Sequence, residues 1–283
     1  LLENQGDGTF IESGFSRGLA YDGGGREQAG MGIACAHLAG LEREALFVTN
    51  FSGESNAFYR SSPQRRAYRE RSSRYGLSGP SLMKLGWGTG FFDADLDGNL
   101  DLFVLNGHVY PQAARMGSDT RYAQDDQLFL HSAGGAFVEQ RLSGGQPAVS
   151  RAGVAGDVDG DGDVDIVALS VEGRVRLLQN RARQKDMGAW LGVRLIGANG
   201  AEAMGATVTV EAGGRIQHRR SRTAGGFQAA APASLHFGLG KSLTPAKVTI
   251  RWPDGTTTLK SDVPCNAWLE VSKESGSAAG GEK

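Results

Sequence analysis

The sequence predicts an all-β protein: a partial β-propeller over residues 1–182, a small β-sandwich over 189–272, and a disordered tail over 273–283. Three observations carry this. Glycine makes up 43 of 283 residues, about twice the typical ~7%, and the glycines separate short apolar runs as turns separate strands. A segment of several short strands recurs, at an offset of 56 residues from Gly30 to Gly86 and of 64 from Asp93 to Asp157. From Trp190 onward the repeat is replaced by strand-like alternation with no Asp-rich segments.

The chain opens on "LLENQGDGTFIE", a strand, glycine turn and strand that reads as a hairpin. "LFLHSAGGAFVE" (Leu128–Glu139) repeats that pattern. Between them, "GMGIACAHLAGLEREALFVTN" aligns with "GWGTGFFDADLDGNLDLFVLN" and with "SRAGVAGDVDGDGDVDIVALS". Repeats of roughly 50–65 residues with several strands have the size of propeller blades, so three blades are expected.

Two copies place an Asp-rich loop before an apolar strand, with the spacing D-x-D-x-D-G-x-x-D. One loop offers Asp93, Asp95, Asp97 and Asp101, with the carbonyl of Asn99; the other offers Asp157, Asp159, Asp161 and Asp165, with the carbonyl of Asp163. Carboxylates at positions 1, 3 and 5 of a tight loop converge, glycine at 6 allows the bend, and the aspartate at 9 closes the cage. Flexible oxygen coordination of this kind suits calcium (Ca2+) better than magnesium, which requires a stricter octahedron. An EF-hand needs a bidentate glutamate at position 12; Val104 and Ala168 stand there. A solvated acidic turn is the plainer alternative for either loop taken singly. The first copy is a control: it carries His37, Ala39, Leu41, Arg43 and Ala45 at the aligned positions, while its apolar strand is kept.

After Trp190, "WLGVRLIG", "ATVTVEA", "RIQHRRSR", "SLHFGLG", "KVTIRW", "TTTLKS" and "WLEVS" read as seven strands, enough for a sandwich. "RIQHRRSR" is expected to be a polar strand with one solvated face, and an anion or acidic-glycan contact is the alternative. The Arg-rich stretch Ser61–Gly76 reads as a solvated inter-strand loop, since it lacks the aromatic spacing of base stacking. The tail has a disordered composition.

The Asp-rich loops resemble FG-GAP (VCBS-type) repeats, the calcium-binding repeats of integrin-type propellers. The stretch Leu85–Pro111, with "AGMGIA" and "LFVTNFSGESNAFYR", is similar to bacterial relatives of the cartilage acidic protein family. "WLGVRLIG", "GATVTVEAGG", "LHFGLG" and "VTIRWPDG" resemble the ASPIC/UnbV domain that follows the propeller there. Propellers of that type close with about seven blades. The resemblance therefore implies a C-terminal fragment whose missing N-terminal blades are partners of this part.

Composition excludes several classes. A net charge of −1 gives no pull toward nucleic acid, and no apolar run reaches the roughly 18–20 residues of a membrane span. Cys35 and Cys265 form no framework, and each is expected to be a separate, small buried residue. "GLGKS" has Leu235 where a phosphate loop needs its first glycine, "GWGTG" lacks dinucleotide spacing, and no H-E-x-x-H or G-x-S-x-G occurs. The chain starts without methionine or visible leader, which implies a removed leader or a fragment. The expected function is a non-catalytic, secreted, extracellular or periplasmic calcium-binding module that meets a protein or glycan ligand, with calcium clamping the loops. The alternatives are an accessory or enzymatic component of a biosynthetic pathway, with a site in the propeller channel, and a structural spacer.

Overall fold

The computed structural model describes residues 1–273 except 40–43, 63–66, 116–119, 133, 141, 143–145 and 183–187. The predicted tail beyond Lys273, the aligned positions Leu41 and Arg43, and most of the stretch joining the two parts lie outside the described residues. The rest is almost wholly β, with one helical turn at Ser78–Ser81 and a 3-10 turn at Ala113–Arg115.

The opening segment is the expected hairpin, β1 (Leu2–Asn4) against β2 (Phe10–Glu12). Three antiparallel meanders follow in chain order. The first comprises β3 (Ile33–Ala36), β4 (Ala45–Val48), β5 (Ala57–Ser62) and β6 (Ala67–Glu70). The second comprises β7 (Gly86–Phe92), β8 (Asp101–Asn106), β9 (Gln127–His131) and β10 (Phe137–Gln140), and the third β11 (Ser150–Gly156), β12 (Asp165–Ser170) and β13 (Val175–Leu178). Each repeat thus supplies the first two strands of a sheet.

β3 runs beside β7, and β7 beside β11, although they belong to different sheets. First strands side by side, with the sheets fanning outward, is blade geometry. Sequence enforces the close approach. A Cβ at Gly32 would overlap the carbonyl oxygen of Trp87 in the next blade, and one at the aligned Gly88 would lie 2.8 Å from the carbonyl oxygen of Arg151 in the blade after that. These glycines repeat because each inner strand leans on its neighbour. Outside them the blades share apolar cores. Phe47, Phe58, Leu102, Val104, Phe129 and Phe137 fill the space between the first and second blades; Phe92, Phe103, Leu105, Val164 and Ile166 fill the next. Every residue of β8 is buried. That is why "DLFVLN" is a continuous apolar run and not an alternating one.

All seven predicted strands of the second part form, in two sheets. One has the order β17 (Leu235–Gly240), β14 (Ala189–Ile196), β20 (Ala267–Ser272), with β14 and β20 parallel. The other runs β16 (Arg215–Arg220), β15 (Thr207–Ala212), β18 (Ala246–Arg251), β19 (Thr257–Val263). Alternate residues from both sheets, among them Leu191, Val193, Val208, Val210, Phe237, Val248 and Ile250, make one core between them. Cys35 and Cys265 are both free and only partly buried.

Candidate metal centre

The two Asp-rich loops are the connections from β7 to β8 and from β11 to β12. Each is wound by its own side chains. In the first, Asp97 N–H donates to Asp95 Oδ1 (3.2 Å) and Asn99 N–H donates to Asp97 Oδ1 (2.7 Å), two successive Asx turns. Gly98 N–H donates to Asp93 Oδ2 at 2.9 Å. In the second, Gly160 and Gly162 N–H groups donate to the two oxygens of Asp157, Asp161 N–H to Asp159 Oδ1, and Asp163 N–H to Asp161 Oδ1.

Carboxylate oxygens of Asp93, Asp95 and Asp101 lie within 4.8 Å of one another, and so do those of Asp157, Asp159 and Asp161. Three of the four carboxylates in each predicted set are therefore gathered. Asp97 Oδ2 instead accepts from Asn99 Nδ2, and the Asn99 side-chain oxygen accepts from Arg215. Asp165 accepts from the Val158 and Asn180 N–H groups, so its oxygens brace the loop against the following strand. Asp101 does the same, accepting from Ala94 and His131 N–H groups at 2.7 Å, while still contributing to its trio. Asp163 is fully buried.

The donor set fits a hard cation. Asp93 is 2% exposed, and its Oδ1 is buried without a hydrogen-bond partner. Burial pushes the Asp93 carboxyl up to about 7, against the pull of Arg219, with Asp97 and Asp95 pushing it further. Burial pushes Asp101 up to about 8 and also raises Asp95 and Asp165. Charges so placed need compensation. In the first blade, His37, Ala39 and Ala45 replace three of the acids, and the sheet still forms.

The loops also meet the sandwich, which the sequence does not announce. Leu96, fully buried with φ +60°, packs with Ala182, Trp190 and Trp268. Gly238 N–H donates to Asp93 Oδ2 (3.1 Å) and Gly240 N–H to Leu96 O (2.8 Å), so β17 caps the first loop. Arg215 donates to Asp97 O and to Asn99 Oδ1. At the second loop His236 Nε2 donates to Gly162 O (2.9 Å), and the Trp190 ring stacks on His236 with centroids 5.5 Å apart.

β16 is polar with one solvated face, as expected, and the side turned inward is polar as well. Gln217 is buried and donates to Gly238 O; Arg219 lies over the Phe237 ring and faces the Asp93 charge; Ile216 is exposed. The polar side faces the seam because the buried carboxylates there need donors and positive charge.

Gly162 sits at φ +91°, and a Cβ there would overlap the Trp190 indole. Gly162→Ala is expected to cost roughly 3 kcal/mol, combining left-handed strain with displacement of a packed ring. Denaturant titration measures it, and a loss below ~1 kcal/mol would mean that Trp190 is not locked by this loop.

Above the loops, a cleft of about 730 Å3 lies between the inner strands β3, β7 and β11 and the sandwich, with Arg219, Arg222 and His37 on its walls. Arg222 closes one side, pairing with Glu44 (2.9 Å) and donating to Cys35 O.

Residues 197–278 match the family model described as ASPIC and UnbV. Human cartilage acidic protein 1 is 27% identical over 260 residues, covering 90% of this chain and 37% of its own length. The mouse protein of that name is 26% identical over 276 residues (96% and 41%), and the Xenopus tropicalis protein 27% over 271 residues (92% and 39%). The chain thus spans about two fifths of the length of the curated relatives it matches. Among solved structures, a Ca2+-stabilized adhesin of an Antarctic bacterium aligns over 88% of this chain and 76% of its own at 10% identity, with a TM-score of 0.15, too low to support any likeness. Residues 197–278 of the sandwich thus match ASPIC and UnbV, and the similarity to the cartilage acidic proteins extends across the blades.

Proposed function

We propose that this chain is a non-catalytic, calcium-dependent interaction module of a secreted, extracellular or periplasmic protein, with a protein or glycan as its ligand. The observation that carries the calcium part is the buried, unpartnered Oδ1 of Asp93 inside a carboxylate trio. The ion supplies positive charge to oxygens that burial would otherwise force to protonate. Asp93, Asp95 and Asp101 would hold one ion, and Asp157, Asp159 and Asp161 another. The carbonyls of Asn99 and Asp163 and the carboxylates of Asp97 and Asp165 are further donors within the same loops. The role is a clamp: loops held in this form present Leu96 and Gly162 to the sandwich. Cartilage acidic protein relatives support an extracellular setting, where modules of this kind bind calcium at roughly 10⁻⁴–10⁻³ M. Among the described residues no helix is long and apolar enough to cross a membrane.

A second reading, an accessory or enzymatic component, is favoured by the Arg- and His-walled cleft at the mouth of the inner strands. Isothermal titration of the metal-stripped chain separates the elements of the proposal. Two calcium sites are expected, each abolished by Ala substitution of the central aspartate of its own trio, Asp95 or Asp159. A third site, or no heat, overturns the assignment.

A further inference from the structure

We propose that the first blade, which carries none of the Asp-rich loops, holds an oxyanion site in which Arg60, Arg69, Arg71 and Arg74 bind a tetrahedral oxyanion, a sulfate or phosphate group. It goes beyond the calcium reading and does not rest on it. The stretch Ser61–Gly76 reads in sequence as a solvated loop; in the structure its described part is the end of β5, all of β6 and the turn after it. Arg60 stands directly opposite Arg69 in the β5–β6 ladder. Like charges in that position destabilise a sheet. Arg71 continues the same side of β6, two residues after Arg69, and Arg74 joins from the turn. The four side chains, with Ser61, Ser62 and Tyr75, line one concavity of about 320 Å3.

Among the described residues no carboxylate pairs with any of the four guanidinium groups, and the intervening sequence Pro63–Arg66 contains no acid. Glu70, the nearest acid in sequence, is used elsewhere: its Oε1 accepts from Ser72 N–H at 2.6 Å. The Arg60 guanidinium is held below its usual range by burial and by the charges of Arg74 and Arg71. The floor is firm. Arg60 lies 5.0 Å over the Tyr75 ring, which packs edge-on against the buried Phe58 at 5.2 Å. A ladder that sets arginine against arginine on a rigid floor, with hydroxyls at hand, is stabilised by an anion that several guanidinium forks can share. Serine hydroxyls add donors that fit a tetrahedral group better than a planar carboxylate.

The test uses the full chain at saturating calcium, in chloride of matched ionic strength. Inorganic sulfate is titrated calorimetrically, followed by galactose 6-sulfate, a monoanion, and galactose 6-phosphate, mostly a dianion near pH 7, which distinguish a sulfate-ester from a phosphate-ester source. One site is expected, with a sulfate-dependent rise in melting temperature. Arg69→Gln/Arg71→Gln should weaken sulfate at least tenfold. It should also melt at or above the wild-type temperature in low salt without sulfate, because it removes like-charge repulsion. Arg74→Gln, on the turn and outside the ladder, serves if the double variant does not fold, and should weaken sulfate without altering the calcium titration. Sulfate heats equal in wild type and variants, or none beyond the chloride control, would overturn the site. A double variant that melts lower than wild type without sulfate, with its sulfate response intact, would assign the arginines a structural role instead.

Discussion

Stripping calcium is expected to lower the melting temperature of both parts of the chain together, not of the blades alone. Under the proposed clamp, calcium binds the folded loops and scarcely binds the unfolded chain. Each site therefore adds about 2.7 kcal/mol when the ion is a hundredfold above its dissociation constant, roughly 5 kcal/mol for two. A domain of ordinary stability has only about 5–15 kcal/mol in total. The loss spreads because the loops are half of the seam. Leu96 is a core residue between blades and sandwich, Gly238 and Gly240 on β17 hydrogen-bond to the first loop, and His236 and Trp190 rest on the second. Differential scanning calorimetry with and without chelator reads this directly. One transition that shifts as a whole is expected. A sandwich transition that stays fixed while a propeller transition moves would show that the seam contributes little.

The elements were legible in the sequence to different degrees, for physical reasons. Local signals gave the most. The glycine turns, the apolar "LFV" strands and the D-x-D-x-D-G spacing are set by backbone geometry within a few residues, and the expected hairpins, inner strands and loops all form. The seven sandwich strands are legible because their alternation reports one buried face each. What alternation does not report is which polar face is turned inward. On β16, Gln217 and Arg219 look like solvent-facing residues, yet they point at Asp93 and β17 because the acids they serve lie more than a hundred positions earlier. The fourth carboxylate of each loop is the other case. Asp97 and Asp165 have the right spacing, but the Asn99 side chain and the backbone of Asn180 engage their oxygens, and neither contact is visible in the motif. A signal for the seam does exist in retrospect: Leu96 is an apolar residue inside an acidic loop, where an isolated turn would carry a polar one.

Metal-free protein should lose stability as the pH rises from about 6.5 to 8, and calcium should abolish that loss. Asp93 and Asp101 are raised by burial to about 7 and about 8, whereas in the unfolded chain they titrate near 4. Between those limits the folded state binds protons that the unfolded state has released, so stability falls with rising pH. His236 acts in the opposite sense. Burial lowers it to about 4, so below its unfolded value of about 6.5 the unfolded chain takes up the proton and stability rises with pH. Burial lowers His108, His131 and His218 too. Up to about pH 6.5 the two effects oppose each other and the descent is partly masked, His236 being worth on the order of 3 kcal/mol against about 4 for Asp93 and about 5–6 for Asp101. Above that pH the imidazoles are neutral in both states and the aspartates act alone, with roughly 2–3 kcal/mol still to be lost by pH 8. Calcium held in the proposed sites would compete with those same protons, so with the ion bound the loss above pH 6.5 should flatten. Melting temperatures of metal-stripped protein across pH 4.5–8, with and without added calcium, measure the partly masked and the unopposed range. A metal-free curve that keeps rising from pH 6.5 to 8 would show that Asp93 and Asp101 are already ionised and compensated by the chain's own charges, Arg219 foremost, and the calcium clamp would lose its physical basis.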